Sequence, residues 1–170
     1  MVPIVRDRPT LKPVLNAPVE EAELRLAGAG NVQVIARDNP DFKRGLDLFN
    51  RGRFFDAHEV LEDLWRPLPR HSPAQERLRL QVQGMIQIAV AFHHESTGNH
   101  VGARSVLQRA LRNIKGAERS FPQLDFDRLR SELAVWERYL DRSVASGGKL
   151  NHRHPAPALP KITSAGKRPG

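Results

Sequence analysis

Cysteine is absent from this chain of 170 residues. Disulfides, thiolate nucleophiles and cysteine-based zinc sites are thereby excluded, and the lack fits a reducing compartment. No run of apolar residues is long enough for a transmembrane helix. The opening Met1-Val2-Pro3-Ile4-Val5-Arg6-Asp7 has no apolar core of the kind a secretory signal needs. A cytoplasmic protein with no membrane partner is the expectation. Aromatic residues are also few, with two Trp, one Tyr and seven Phe, so stacking platforms for nucleic-acid bases are scarce.

Acidic residues are missing from one place in particular. Residues 147–170 carry five Lys or Arg and no Asp or Glu, whereas residues 38–146 are nearly balanced at 17 basic and 15 acidic. The net charge of +8 therefore lies largely in the C-terminal tail. A flexible basic tail attracts polyanions weakly, and a solubilising extension is the simpler reading. His152 and His154 fall in this tail and are expected to be solvated.

The remainder of the chain reads as one domain with tails. Residues 1–37 form an N-terminal arm, with a short helix over 18–26 and an isolated strand over 31–36 as its ordered parts. Residues 38–146 carry helical periodicity throughout. Helices are expected over 41–50, 54–66, 73–96 and 101–120, and from Asp125 to just before Gly147. Gly52, Pro67, Gly98 and Pro122 punctuate them. On the last, Leu129, Leu133, Trp136 and Leu140 share one stripe. The tail from 147 to 170, rich in Pro, Gly, Lys and His, is expected to remain disordered. The fold class is all-α, a single bundle of about five helices.

Small residues repeat within the bundle. Gly45 and Ala57 recur as Ala91 and Ala103, and Leu61 as Leu107, at a common offset of 46 residues. This packing style resembles the helical hairpins of tetratricopeptide repeats, although the offset exceeds their usual period of about 34.

The stretch from Arg53 to Trp65 carries the chemistry. Phe54, Ala57, Leu61, Leu64 and Trp65 recur at helical spacing. His58 lies in the same arc, and Glu62, four residues on, lies at its edge. Glu59 and Asp63 point progressively away. Between Val82 and Phe92 the third helix has no charged residue, and Gln83, Gln87 and His94 form a polar stripe on an otherwise apolar surface. The economical arrangement sets that stripe against His58 and Glu62 as one buried polar cluster. His93 points to another side. Trp65 is expected in the core, with Glu62 near its indole N–H. Asn99 follows Gly98 at a helix junction and suits an N-cap.

Three motifs stand in order: Phe-Phe-x-Ala-His-Glu-x-x-Glu-x-x-Trp at 54–65, Gln-Gly-x-Ile-Gln-x-Ala-Val-Ala-x-His-His at 83–94, and Gly-Asn-x-x-Gly-Ala at 98–103. Together they resemble the bacterial and plastid family called domain of unknown function 309, over about residues 42–115. The resemblance implies an all-α bundle and no particular activity. Its motif residues map here to His58, Glu59, Glu62, Trp65, Gln83, Gln87 and Asn99. Asp63 is an additional carboxylate inside the first motif. The arm before Asp38 and the tail after Ser146 lie outside the likeness.

Three uses of these residues are open. His58 and Glu62, joined by His94 or by His93 from the adjacent helix, form a ligand set for a divalent metal. His-Glu-x-x-Glu lacks the second histidine of the zincin motif, and the paired Glu-x-x-His of di-iron bundles is missing. A His58–Glu62 pair can also move a proton, but no Ser, Cys or Lys stands in a motif that marks a nucleophile. Finally, Arg104, Gln108, Arg112, Lys115 and Arg119 fall within an arc of about 80° on the fourth helix. Such a stripe, with the tail, can contact phosphates of a nucleic acid, but a solvated face is the favoured reading. Two functions therefore compete. One is a helical domain whose His/Glu/Gln cluster, with Trp65 and Asn99, binds a small ligand or ion. The other is a non-enzymatic module that docks a protein or nucleic acid, its cluster being structural.

Overall fold

Asn39 caps the first helix of the bundle: its side-chain oxygen accepts from the backbone N–H of Asp41 at 2.8 Å and of Phe42 at 3.2 Å. With Pro40 at the first helical position, this is a complete start signal. The computed structural model of the protein describes residues 39–147 and 155–166. The helix expected over 18–26 and the strand over 31–36 lie outside them.

Five α-helices follow: α1 (Pro40–Asn50), α2 (Phe54–Trp65), α3 (Pro73–Ser96), α4 (His100–Asn113) and α5 (Phe126–Ala145). Each packs against the next in the chain, as short connections between antiparallel helices require. The all-α reading holds. Ser72 caps α3 by accepting from the Gln75 N–H, with Pro73 at its first position. Asp125 caps α5 in the same way through the Arg128 N–H. The central α3 is about 36 Å long at 1.5 Å per residue, and its face of Val82, Met85, Ile88, Ala89 and Phe92 is fully enclosed.

The core is largely aromatic where the helices cross. Phe92 of α3 meets Phe54 of α2 at 5.5 Å, Phe49 of α1 at 5.9 Å and Trp136 of α5 at 5.0 Å between ring centroids. One side chain thus joins four helices. The expected stripe of α5 is buried along its whole length. Small residues set the closest approaches. A Cβ on Gly45 would come within 2.7 Å of the Leu61 side chain, and one on Gly84 within 2.6 Å of Ile114.

Two boundaries differ from the sequence reading. The fourth helix ends at Asn113, not near Ser120. Gly116 turns the backbone into the left-handed region at φ 76°, and a short 3-10 turn, Ala117–Arg119, follows. Lys115 and Arg119 therefore leave the helical stripe that the periodicity assigned to them. Residues 155–166, expected to be disordered, lie against the bundle instead. The Trp136 indole donates to the Ala158 carbonyl at 2.9 Å, and the Asn50 carboxamide pairs with both backbone groups of Ile162 at 2.8 Å. The side chain of Ile162 is buried. Composition could not show this, because the strap is held mainly through its backbone.

Candidate functional site

On α2, the interior positions are taken by Phe54, Ala57 and Leu61. His58 follows Ala57 on the rim of this face. Its side chain keeps 25% of its surface exposed, with Glu62 at 30% and Glu59 at 56%. The cluster is therefore at the surface, and the expectation of a buried one is corrected. The apolar arc of α2 is narrower than its wheel suggests, and His58 lies outside the close-packed part.

Glu59, expected to point away, completes the cluster. His58 Nε2 lies 3.1 Å from a Glu62 oxygen, and Nδ1 lies 3.2 Å from a Glu59 oxygen. A carboxylate only accepts hydrogen bonds, so both contacts are hydrogen bonds only when the ring carries two protons. Arg66 reaches the other Glu62 oxygen at 3.3 Å and Asp63 at 3.0 Å. The Asp63 carboxylate is thus occupied by a neighbouring cation. Among the described residues, His58, Glu59 and Glu62 form one group whose ligand atoms all lie within 4.8 Å of one another.

The polar stripe of α3 faces elsewhere. The Gln87 side-chain oxygen accepts from the Asn113 amide at 2.9 Å, on α4. His94 Nδ1 lies 3.3 Å from the Asn99 amide, in the turn before α4. Gln83 is half-buried on the same helix. The stripe thus runs along the α4 side of α3, not the side that α2 covers. His93, not His94, faces α2: its ring is 5.6 Å from Phe55, which is 6.1 Å from His58. Phe55 itself is 56% exposed.

Two other motif residues have structural partners. The Trp65 indole donates to the Arg79 carbonyl at 3.0 Å, so Glu62 is not its acceptor. Asn99 caps α4 through the Gly102 N–H at 2.9 Å, and a Cβ on Gly102 would lie 2.5 Å from the Asn99 side chain. The glycine makes room for the cap.

The arginine stripe is divided. Arg104 forms an ion pair with Asp141 of α5 at 2.5 Å. Gln108, Arg112 and Lys115 line an open groove with Leu111 and Glu137. Arg119 lies on the 3-10 turn.

Sequence reasoning missed Arg79 and Gln81. Both are buried, and neither amide atom of Gln81 has a hydrogen-bond partner among the described residues. They sit where the charged start of α3 meets its apolar middle, and the polar residues on either side masked them. Near the other end of α3, burial raises the carboxyl of Glu95 above its ordinary value, and the neighbouring His100 partly offsets this.

An all-helical domain with a surface His–Glu–Glu cluster is the class these features define. A family described as a domain of unknown function (DUF309) matches residues 42–106. The uncharacterized protein YpuF of Bacillus subtilis (strain 168) is 32% identical over 74 residues, which are 44% of this chain and 40% of YpuF. An uncharacterized protein of Aquifex aeolicus (strain VF5) is 26% identical over 99 residues, 58% of this chain and 28% of that protein. The matched part of this chain thus spans less than half the length of either relative. No solved structure matches it. Among the described residues, no helix is long and apolar enough to cross a membrane.

Proposed function

We propose that the domain binds a divalent cation through His58 and Glu62, with Glu59 holding the imidazole. The supporting observation is the placement of one carboxylate at each ring nitrogen. Glu59 accepts the Nδ1–H and so directs Nε2 toward the ion, the carboxylate–histidine–metal arrangement that orients and strengthens imidazole ligands. Glu62, one helical turn on, supplies an oxygen beside Nε2. A mixed nitrogen and oxygen set suits zinc, manganese or a similar first-row ion. With two protein ligands and partial exposure, coordination positions remain for water or an oxygen of a small ligand. The test is metal analysis and calorimetric titration of the purified protein with zinc and manganese, beside His58→Ala and Glu62→Ala. Saturable binding near one ion per chain, lost in both variants with their helical spectra intact, supports the reading. Equal binding by the variants, or none by the parent, rejects it.

The second reading is a non-enzymatic interaction module. It draws on Phe55, an apolar ring exposed between His58 and His93. Exposed aromatic side chains near polar groups are frequent anchors of protein interfaces. A nucleic-acid role has less support, because Arg104 is paired with Asp141 and the stripe is interrupted after Asn113.

A further inference from the structure

Charges on α4 and α5 meet in register at one end and miss each other at the other. Arg104 of α4 pairs with Asp141 of α5, which fixes how these two antiparallel helices face one another. One turn on from Arg104 along α4 is Gln108. One turn back from Asp141 along α5 is Glu137. Both line an open groove of about 520 Å³, together with Leu111, Arg112 and Lys115. A neutral amide thus stands where a cation would meet Glu137. The next positions of α5 in that direction, Leu133 and Ala134, carry no charge for Arg112. Among the described residues, neither Arg112, Lys115 nor Glu137 takes part in an ion pair or a side-chain hydrogen bond.

The mismatch begins in the sequence. From Ser96 to Ala117 the chain has four Lys or Arg and no Asp or Glu, so α4 offers Arg112 and Lys115 no carboxylate of its own. The Lys115 N–H still bonds to the Arg112 carbonyl, which keeps the two cations one turn apart. Two neighbouring cations match a dianion. A phosphomonoester carries a charge of about −1.5 to −2 at neutral pH, and a guanidinium fork beside an ammonium suits its oxygens. Glu137 is half-buried on the α5 side. It repels a phosphate and accepts hydrogen bonds from an ammonium. Leu111, packed partly against the core, adds an apolar surface. The volume lies in the range of small-molecule sites. A nucleic-acid backbone fits less well, because each phosphodiester carries a single charge and offers Glu137 no cation.

We propose that the groove between α4 and α5 binds a small phosphomonoester that also carries an amino group, with Arg112 and Lys115 on the phosphate and Glu137 on the ammonium. The cation site on α2 plays no part in this inference. Such a ligand supplies each unpaired charge of the groove with its opposite, which neither helix does for the other.

The test is an NMR titration of the full, nitrogen-15-labelled chain at constant ionic strength, in buffer stripped of divalent ions so that the α2 cluster holds none. The probes are O-phosphoethanolamine, ethyl phosphate and ethanolamine. O-phosphoethanolamine is expected to give saturable shifts centred on the amides of Gln108, Leu111, Arg112, Lys115 and Glu137. Ethyl phosphate should bind about two- to fivefold more weakly, since it lacks one exposed charge contact. Ethanolamine alone should not saturate. Arg112→Gln and Lys115→Gln should each weaken O-phosphoethanolamine at least about twofold, and the double variant at least about fivefold. Glu137→Gln should make the two phosphates bind equally. All of these side chains reach solvent, and the spectrum of each variant reports whether it has folded. Shifts that do not saturate, or that spread over the other basic surfaces, overturn the proposal. So does equal binding of the two phosphates by the parent, or unchanged binding by the folded double variant.

Discussion

Trp65 and Arg79 hold one another in both directions. The Trp65 indole donates to the Arg79 carbonyl at 3.0 Å, and the Arg79 guanidinium donates back to the Trp65 carbonyl at 2.9 Å while its carbon lies 4.1 Å from the indole ring centroid. The same guanidinium nitrogen reaches the Leu68 carbonyl at 2.7 Å. A buried cation thus closes the C-terminal end of α2, where carbonyls lack helical partners and the helix dipole favours positive charge. Arg79→Ala should cost about 2–4 kcal/mol, since it removes these charged bonds and leaves carbonyls unpartnered. Arg79→Lys should recover little, because an ammonium does not stack on the ring as a guanidinium does. Trp65→Phe should cost about 1–2 kcal/mol. Urea unfolding of both singles and the double variant checks this. Additive losses would show that the two residues do not act as a unit.

Gly84 and Gly45 offer a ranked comparison. Alanine at either gains helix propensity of up to about 1 kcal/mol. At Gly45 the new methyl meets the Leu61 side chain at 2.7 Å, at both Cγ and Cδ2, and no backbone atom. At Gly84 it meets Ile114 at 2.6 Å and also the Ile114 backbone nitrogen at 3.1 Å. A backbone cannot step aside as a side chain can. Gly84→Ala should therefore destabilise by about 1–3 kcal/mol, and Gly45→Ala by less. Thermal melts of the two variants decide the order, and a stable Gly84→Ala protein would mean that α3 and α4 are less closely packed than described.

Gln81 carries a different liability. It is 1% exposed, and its amide nitrogen and oxygen both lack partners among the described residues. Gln81→Met keeps the length and removes two unsatisfied polar atoms. A gain of about 1–3 kcal/mol is expected. A loss of similar size would show instead that the amide is held by a bound water.

The helices were legible because their start and stop signals are local. Gly52, Pro67, Gly98 and Pro122 mark the breaks, Pro73 and Asp125 open two of the helices, and the apolar stripe of α5 has one period throughout. The fourth helix was overextended because Ala117 continues the apolar spacing, while the left-handed turn at Gly116 that ends it is invisible to periodicity. The site was half legible. His58 and Glu62 are joined by helical spacing alone, so the pair was readable. Glu59 was misjudged because a long side chain can bend back to a neighbour one residue away, which a wheel cannot show. Gln87 and His94 were set against the wrong neighbour: a helix packed on two sides gives no sequence signal for which partner each side meets. The strap was missed because its anchors, Asn50 and Ile162, are 112 residues apart and joined through backbone groups.

Glu95 should make the fold sensitive to pH in one direction. Burial raises its carboxyl above the ordinary value, so the folded state favours the protonated form. The stability it contributes is present below the ordinary carboxylate value and is lost as pH rises through the raised one. Glu95→Gln should thus be near neutral in mildly acidic buffer and slightly stabilising at neutral pH, where the parent holds a partly buried charge. Melting temperatures of both proteins across that range check the sign. A variant less stable at neutral pH would show that attraction to His100 outweighs desolvation.

Arg66 tests the cation site from outside it. The guanidinium lies 3.3 Å from a Glu62 oxygen and is mostly exposed. A bound divalent ion and Arg66 then compete for one carboxylate. An exposed ion pair is worth about 0.5–1 kcal/mol, so releasing it should strengthen cation binding about two- to fivefold. Arg66→Ala is the variant to titrate with zinc or manganese, because it touches neither His58 nor the core. Glu59→Gln should act oppositely: its amide no longer holds the Nδ1–H as a carboxylate does, and affinity should fall about tenfold or more. If Glu62→Ala leaves binding unchanged while His58→Ala abolishes it, Glu62 is not a ligand. His58 would then bind the ion through other groups, and Glu62 would serve only to steady α2.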